Sequence, residues 1–293
     1  MKRLLITSIF ALSLGGTPAS PVAAQAPLAA AWDSVAAILK TSATPSAGYV
    51  RYNLPRRDLT IRIGDVTVAT ALAATAWAGM SGDPSNATMM GDLVLTTDEV
   101  RPVLAQLAQQ HIVVTAVHNH LVGEEPRLVY AHFHAEGAAT DVARRLDAVV
   151  ALTGTPRPVA AAAAAPLTID TGLVFGALGR GRAGGNVAQV ALVLVPDTVR
   201  MQGHVVVPAM GYGSPLNIQA VSPARAVATG DFSVPARAVE QVTRALTEHG
   251  IVTTAVHSHL VGESPTVSFI HFWADGPLAG VLAGLRAAVE ASR

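Results

Sequence analysis

The chain has 293 residues, 51% hydrophobic and 14% charged, enough for one large domain or two smaller ones and too apolar for disorder. Its 20 basic residues balance its 20 acidic ones, and no basic stripe appears, so nothing electrostatic favours nucleic acid or an anionic membrane surface. No cysteine is present, which excludes disulfides, thiolate ligands and thiol nucleophiles.

Residues 1–24 read as a signal peptide. Lys2 and Arg3 form a basic start, residues 4–14 an apolar core, and Val22-Ala23-Ala24 a small-residue cleavage site. The apolar run is too short to span a bilayer. Cleavage near Ala24 leaves an exported protein, periplasmic or secreted, soluble and without a membrane span. Loss of Lys2 and Arg3 leaves 18 basic against 20 acidic residues.

A first repeat is expected over residues 28–154. A helix over 32–40 leads into extended segments over 49–55 and 59–69, punctuated by Gly64. Residues 91–95 form a strand. A helix then begins near Thr96, with Glu99 placed to complete a capping box. Val100, Val103, Leu104 and Leu107 give it a core-facing stripe, and Pro102 sits early in it. Two strands follow over 112–122 and 128–135, joined by 123–127, and a helix over 139–152 closes the unit. The Pro/Ala segment 155–167 is a linker.

A second repeat occupies 168–293. IVVTAVHNHLVGEEP, from Ile112, and IVTTAVHSHLVGESP, from Ile251, agree at 12 of 15 positions at an offset of 139. The same offset relates Gly91-Asp92 to Gly230-Asp231, His132 to His271 and Gly137 to Gly276. The fold class is therefore α+β: two tandem copies of one unit, mostly antiparallel sheet packed with helices, related by pseudo-twofold symmetry.

Side chains two apart on a strand share a face, so His118 and His120 point one way together, as do His132 and His134. Opposing His120 to His132 also opposes His118 to His134 and centres the turn on Pro126. Glu124 then lies on the same side. Four imidazoles and a carboxylate would converge on one patch suited to zinc, copper, iron or manganese. The second repeat offers His257, His259, Glu263 and His271, but Trp273 stands in place of the fourth histidine. The first repeat is thus the expected seat of chemistry, with the second a degenerate or structural copy. Against this stands the plainer reading that a histidine on a half-buried sheet donates to a backbone carbonyl. His111 and His249 fit carbonyl-capping roles at helix ends, and His204 carries no signal. Asp92 and Asp231 suit either imidazole orientation or a strand start. Met80, Met89 and Met90 suit core packing better than copper.

No GxGxxG, P-loop or GxSxG pattern occurs. His118-x-His120-x3-Glu124 with the later His132 has the spacing of the first cupin motif, which implies a metal, although the flanking amphipathic helices do not suit a pure β-barrel. Gly91-Asp92-Leu93-Val94-Leu95, Asp98-Glu99-Val100, Val114 through His120, His132 and Gly137 together resemble the LppY/LpqO-like family of bacterial exported proteins, once per half. That family is functionally uncharacterised, so the resemblance implies export and duplication and transfers no reaction. Its namesakes are lipoproteins. This chain has no cysteine to lipidate, which implies a soluble state instead.

Two functional readings stay open. One is an exported metal-binding protein, as a simple binder or a metal-dependent enzyme, with His118, His120, His132 and His134 as ligands and Glu124 or Glu125 as general base. The other is a non-catalytic periplasmic binding module, with Tyr130 and Arg127 contacting a small molecule, or a structural envelope protein whose histidines serve as hydrogen-bonding groups. Oligomeric state is not legible in the sequence.

Overall fold

The computed structural model describes residues 30–161 and 165–293. The expected signal peptide, residues 28–29 and linker residues 162–164 lie outside the described residues.

The first repeat opens with α1 (Ala30–Leu39), β1 (Ala43–Ser46), β2 (Tyr49–Pro55), β3 (Ile61–Ile63) and β4 (Val66–Val68). The short α2 (Thr70–Ala73) leads to β5 (Thr75–Asp83), β6 (Asn86–Thr96) and α3 (Thr97–Gln109). β7 (Val113–His118), β8 (Glu124–Glu125), β9 (Leu128–Gly137) and α4 (Ala139–Val150) complete it.

The second repeat follows the same order. It comprises α5 (Thr171–Leu178), β10 (Gly181–Gly184), β11 (Val187–Leu192), β12 (Arg200–Met201), β13 (His204–Val205) and α6 (Pro208–Gly211). β14 (Ser214–Ser222), β15 (Arg225–Pro235) and α7 (Val239–Glu248) come next. β16 (Val252–His257), β17 (Glu263–Ser264), β18 (Val267–Gly276) and α8 (Leu278–Ala291) end it.

Each repeat builds a six-stranded sheet, ordered β1-β2-β5-β6-β9-β7 and β10-β11-β14-β15-β18-β16. Each also builds a three-stranded sheet, β4-β3-β8 and β13-β12-β17. Every pairing among the described residues is antiparallel. The two copies are thus the same sheet-plus-helix unit, as the constant offset requires.

Apolar residues of the helices make the core of each unit. Val35, Leu39, Val103, Leu107, Val142 and Leu146 cluster with Leu93, Leu95 and Ala131 of the sheet. The expected reciprocal bond at the start of α3 is present: the Thr96 N–H donates to Glu99 Oε2 at 2.8 Å. Glu99 is further held by Arg56, a nearly fully buried guanidinium that also pairs with Asp58.

Alternation along β9 places Ala131, Phe133 and Ala135 on one face and Tyr130, His132 and His134 on the other. The second face looks toward the sister repeat. Tyr49, Met90, Met201, Met210, Leu260 and Phe269 form an apolar cluster that draws on both repeats. Side-chain amides lock the repeats together: Gln219 accepts from Ala69 N–H and donates to Thr67 O, both at 2.8 Å. Asn217 donates to Leu72 O and Gln189 to Ala71 O, each at 2.9 Å.

Two expectations change here. Strand β5 was not apparent in the sequence because TAWAGMSGD is dominated by small residues of low strand propensity. Those small residues are required where strands and rings approach closely. A Cβ on Gly79 would lie 2.9 Å from side-chain carbons of both Tyr49 and Met210.

The second change concerns the histidine hairpin. His118 pairs with Tyr130, Ala116 with His132 and Val113 with His134, with an irregularity between Val114 and Ala116. The expected pairing of His118 with His134 is displaced by four positions. Over Ala116–His118 the displacement is even, which keeps His118 and His132 on their expected face while moving them along the strand. The cause lies beyond His118, where the chain leaves the sheet. Asn119 Nδ2 donates to Leu121 O and to Thr254 O of the other repeat, and Glu124 and Glu125 pair with Ile63 and Arg62. What looked like a tight turn is a loop tied to two other elements.

Candidate metal centre

Six imidazoles, three from each repeat, gather into one cluster between the sheets. His118 ends β7 and His132 sits in β9, while His120 enters from the loop after β7. His257, His259 and His271 do the same from β16, its following loop and β18. The rings meet in pseudo-symmetric pairs across the repeats. His118 and His257 have centroids 3.8 Å apart, His120 and His271 3.9 Å, and His132 and His259 3.7 Å. Each loop histidine stacks on an aromatic residue of its own repeat, His120 on Tyr130 at 3.7 Å and His259 on Phe269 at 3.8 Å. The Tyr130 hydroxyl donates to Ala73 O at 2.9 Å, which fixes the ring beneath His120.

Hydrogen bonds fix which ring nitrogen is free. His118 Nδ1 lies 3.2 Å from the Asn119 carbonyl, an acceptor only, so Nδ1 carries the proton and Nε2 keeps its lone pair. His271 Nδ1 lies 2.8 Å from Asp231 Oδ1 and 3.1 Å from Gly230 O, which sets the same tautomer. Its Nε2 approaches His259 Nε2 at 3.3 Å. A carboxylate holding the far nitrogen of an imidazole is the usual support of a metal-binding histidine. Asp92, the counterpart of Asp231, sits 3.9 Å from His120 Nε2 and 3.8 Å from His132 Nε2.

Burial makes five of the rings neutral. Loss of water, and then the neighbouring His271, lowers His118 to about 4. Burial, with His118 and His271 beside it, takes His257 to about 2. His120, His132 and His259 are pushed well below the ordinary histidine value by the same burial, with His118 and His271 beside them. Burial next to Asp231 raises Asp92 well above the ordinary carboxyl value. Neutral imidazole is the form that donates a lone pair to a metal.

The donor set fits a transition metal. His118 Nε2, His120 Nε2, His132 Nε2 and both nitrogens of His257 are buried without a hydrogen-bond partner among the described residues. So many orphaned nitrogens in one place are costly unless a shared ligand satisfies them. Ligand atoms of His118, His257, His259 and His271 lie within 4.8 Å of one another, as do those of His118, His120, His132 and His259. His120, Asp231 and His271 form a third such group. A tetrahedral ion with arms of about 2.0–2.1 Å would draw its donors within that span. Nitrogen with carboxylate suits zinc, copper, iron or manganese.

The expectation was a site within the first repeat, but each of these groupings draws on residues of both repeats. Trp273 does not interrupt the second set. It stands where the first repeat has His134, and His134 is not in the cluster. The register places His134 beside Met90 and Val113, with Nε2 3.6 Å from Glu136, which also approaches His204 at 3.7 Å.

Glu124 and Glu125 are not brought into the histidine groups. Glu124 is buried with Oε1 accepting from the Leu128 N–H at 3.0 Å, and Glu125 is exposed on the small sheet. Glu263 likewise accepts from the Val267 N–H at 3.3 Å. Arg127 is exposed and lies outside the cavity beside the cluster, whereas Tyr130 lines it. Asp92 and Asp231 are the carboxylates at the site. Repetition alone could not rank them above Glu124, because the offset of 139 relates Asp92 to Asp231 and Glu124 to Glu263 alike. That cavity has a volume of about 550 Å³, and His120, His132, His259, Asp92 and Asp231 stand in its wall.

Fold and site together define a duplicated α+β protein with a histidine centre shared by its two halves. The chain belongs to the family described as Domain of Unknown Function (DUF1259), whose model matches residues 33–152 and again residues 174–291. No curated protein matches the chain. Among solved structures, EtuB from Clostridium kluyveri is similar at 13% identity over 86% of this chain and 90% of that chain, with a TM-score of 0.21. The double ringed trimeric shell protein MSM0271 from the RMM microcompartment is 10% identical over 71% of this chain and 83% of its own, with a TM-score of 0.20. These overlaps are too slight to bear on fold or function.

Proposed function

We propose that this is an exported metalloprotein whose two repeats jointly hold a divalent transition metal, in the periplasm or outside the cell. The observation that carries the proposal is the convergence of His118, His120 and His132 with His257, His259 and His271, leaving five buried ring nitrogens unpartnered among the described residues. The cavity reaching His120, His132 and His259 gives a small molecule access to the centre, which favours a metal site that meets a ligand over a purely structural one. In an enzymatic version, an open coordination position would face that cavity, and Asp92 or Asp231 would handle protons. The LppY/LpqO resemblance supports the export part of this reading.

The test is elemental analysis of untagged protein purified from the exported fraction. About one metal equivalent or more is expected, falling sharply in both a His118→Ala/His120→Ala variant and a His257→Ala/His259→Ala variant. Metal content unchanged in both would remove the proposal. A non-catalytic binding module is the second reading, and the same cavity favours it. It predicts ligand stabilisation that persists after metal is stripped.

A further inference from the structure

We infer that the cavity beside the histidine centre is a binding site for a small organic acid with a flat apolar body, its carboxylate held by Arg51 and Arg182. The inference rests on the metalloprotein reading for the role of the far end, but its anion-binding half stands on separate residues.

Strand register gives the layout. Trp77 pairs with Asp92, and Asp92 with His132, so these three lie in one row across three adjacent strands. Two strand spacings put the Trp77 backbone about 10 Å from that of His132. The Arg51 guanidinium lies over the Trp77 ring at 4.0 Å, with Nε donating to Asn53 Oδ1 at 2.8 Å. Stacking and that bond hold the guanidinium flat, with the Tyr49 hydroxyl beside it, and turn its terminal nitrogens toward the cavity for a charge-assisted contact.

Arg51, Arg180 and Arg182 all line the cavity, and none has a carboxylate within 4.0 Å among the described residues. Arg182 is braced by Gln189 at 2.9 Å. The two carboxylates of the cavity are turned to histidines, Asp231 to His271 and Asp92 to His120 and His132. The cationic end therefore has no carboxylate in contact with it among the described residues, although Asp92 lies near enough to Arg51 to feel its charge. Between the ends the wall is apolar: Tyr49, Trp77 and Met210 surround Gly79 so closely that a Cβ there would meet each within 3.1 Å. A volume of about 550 Å³ suits one small molecule.

Titration calorimetry with benzoate, 4-hydroxybenzoate and 2-naphthoate, each against its own neutral amide, tests this on the full mature chain with metal content measured in the same samples. At least one carboxylate should bind tenfold or more tighter than its amide. Arg51→Gln should remove that preference, and Arg182→Gln, an exposed position that spares the fold, should reduce it severalfold. Metal content should stay at the wild-type level in both. Equal affinity for acids and amides, no binding by any acid, or an unchanged preference in both variants would overturn the inference. Acid binding retained in protein found to hold no metal would sink the metalloprotein reading alone.

Discussion

His118 and His257 occupy the same position in the two repeats, and their rings meet with centroids 3.8 Å apart. A residue that touches its own counterpart lies on the pseudo-twofold axis. The histidine centre is therefore a product of the pairing of repeats, and neither half can supply it alone.

Shared construction makes a metal-binding prediction. After chelation and reconstitution with zinc, His257→Ala/His259→Ala should lose metal as severely as His118→Ala/His120→Ala. Equilibrium dialysis with elemental readout decides it. A second-repeat variant binding like wild type would return the site to the first repeat.

Asp231 holds His271 by its Nδ1–H at 2.8 Å and so directs Nε2 into the cluster. Asp231→Asn should weaken metal affinity roughly 10–100-fold, the usual cost of removing a ligand's orienting partner. Competition with a chromogenic chelator measures it. Unaltered affinity would show that His271 is not a ligand.

Metal should stabilise the fold by mass action. At a free metal concentration near 100 times Kd, the gain is about 2.7 kcal/mol, visible as a rise in Tm that chelator reverses. Thermal melts of the stripped and reloaded protein check this, and a Tm indifferent to metal would count against a native-state site.

The metal-free protein should lose stability in acid. His118 is lowered to about 4 and His257 to about 2, against an ordinary value near 6.5. Below pH 6.5 the unfolded chain takes up protons that the folded one refuses, so stability is full above that pH and declines as pH falls toward 4 and below. Denaturant melts from pH 7.5 to 4 should show this slope flattened in His118→Gln/His257→Gln. An identical slope in that variant would contradict the assignment.

Gly91 precedes Asp92 on the strand that carries it. A methyl group there would collide with Trp77 O at 2.3 Å and the Phe133 ring at 2.4 Å. Gly91→Ala should destabilise by about 1–3 kcal/mol, as overpacking of a close-packed core does. Chemical denaturation measures it, and a neutral result would mean the strands can part more readily than their packing implies.

The sequence by itself determined the duplication, the α+β class, the start of α3 at its capping box and the faces of His118, His132 and His134. These follow from local periodicity and from a constant offset, which need no knowledge of partners distant in the chain. It did not determine the register of β7 on β9, because parity is preserved by any even displacement and the hydrogen bonds that choose among them come from Arg62, Ile63 and Thr254. For the same reason Trp273 looked like damage to a site it never joined. Only the tertiary structure decided that the two sheets turn their histidine faces toward each other, since that apposition depends on interface contacts such as Gln219 with Thr67 and Asn217 with Leu72, made across about 150 residues of chain.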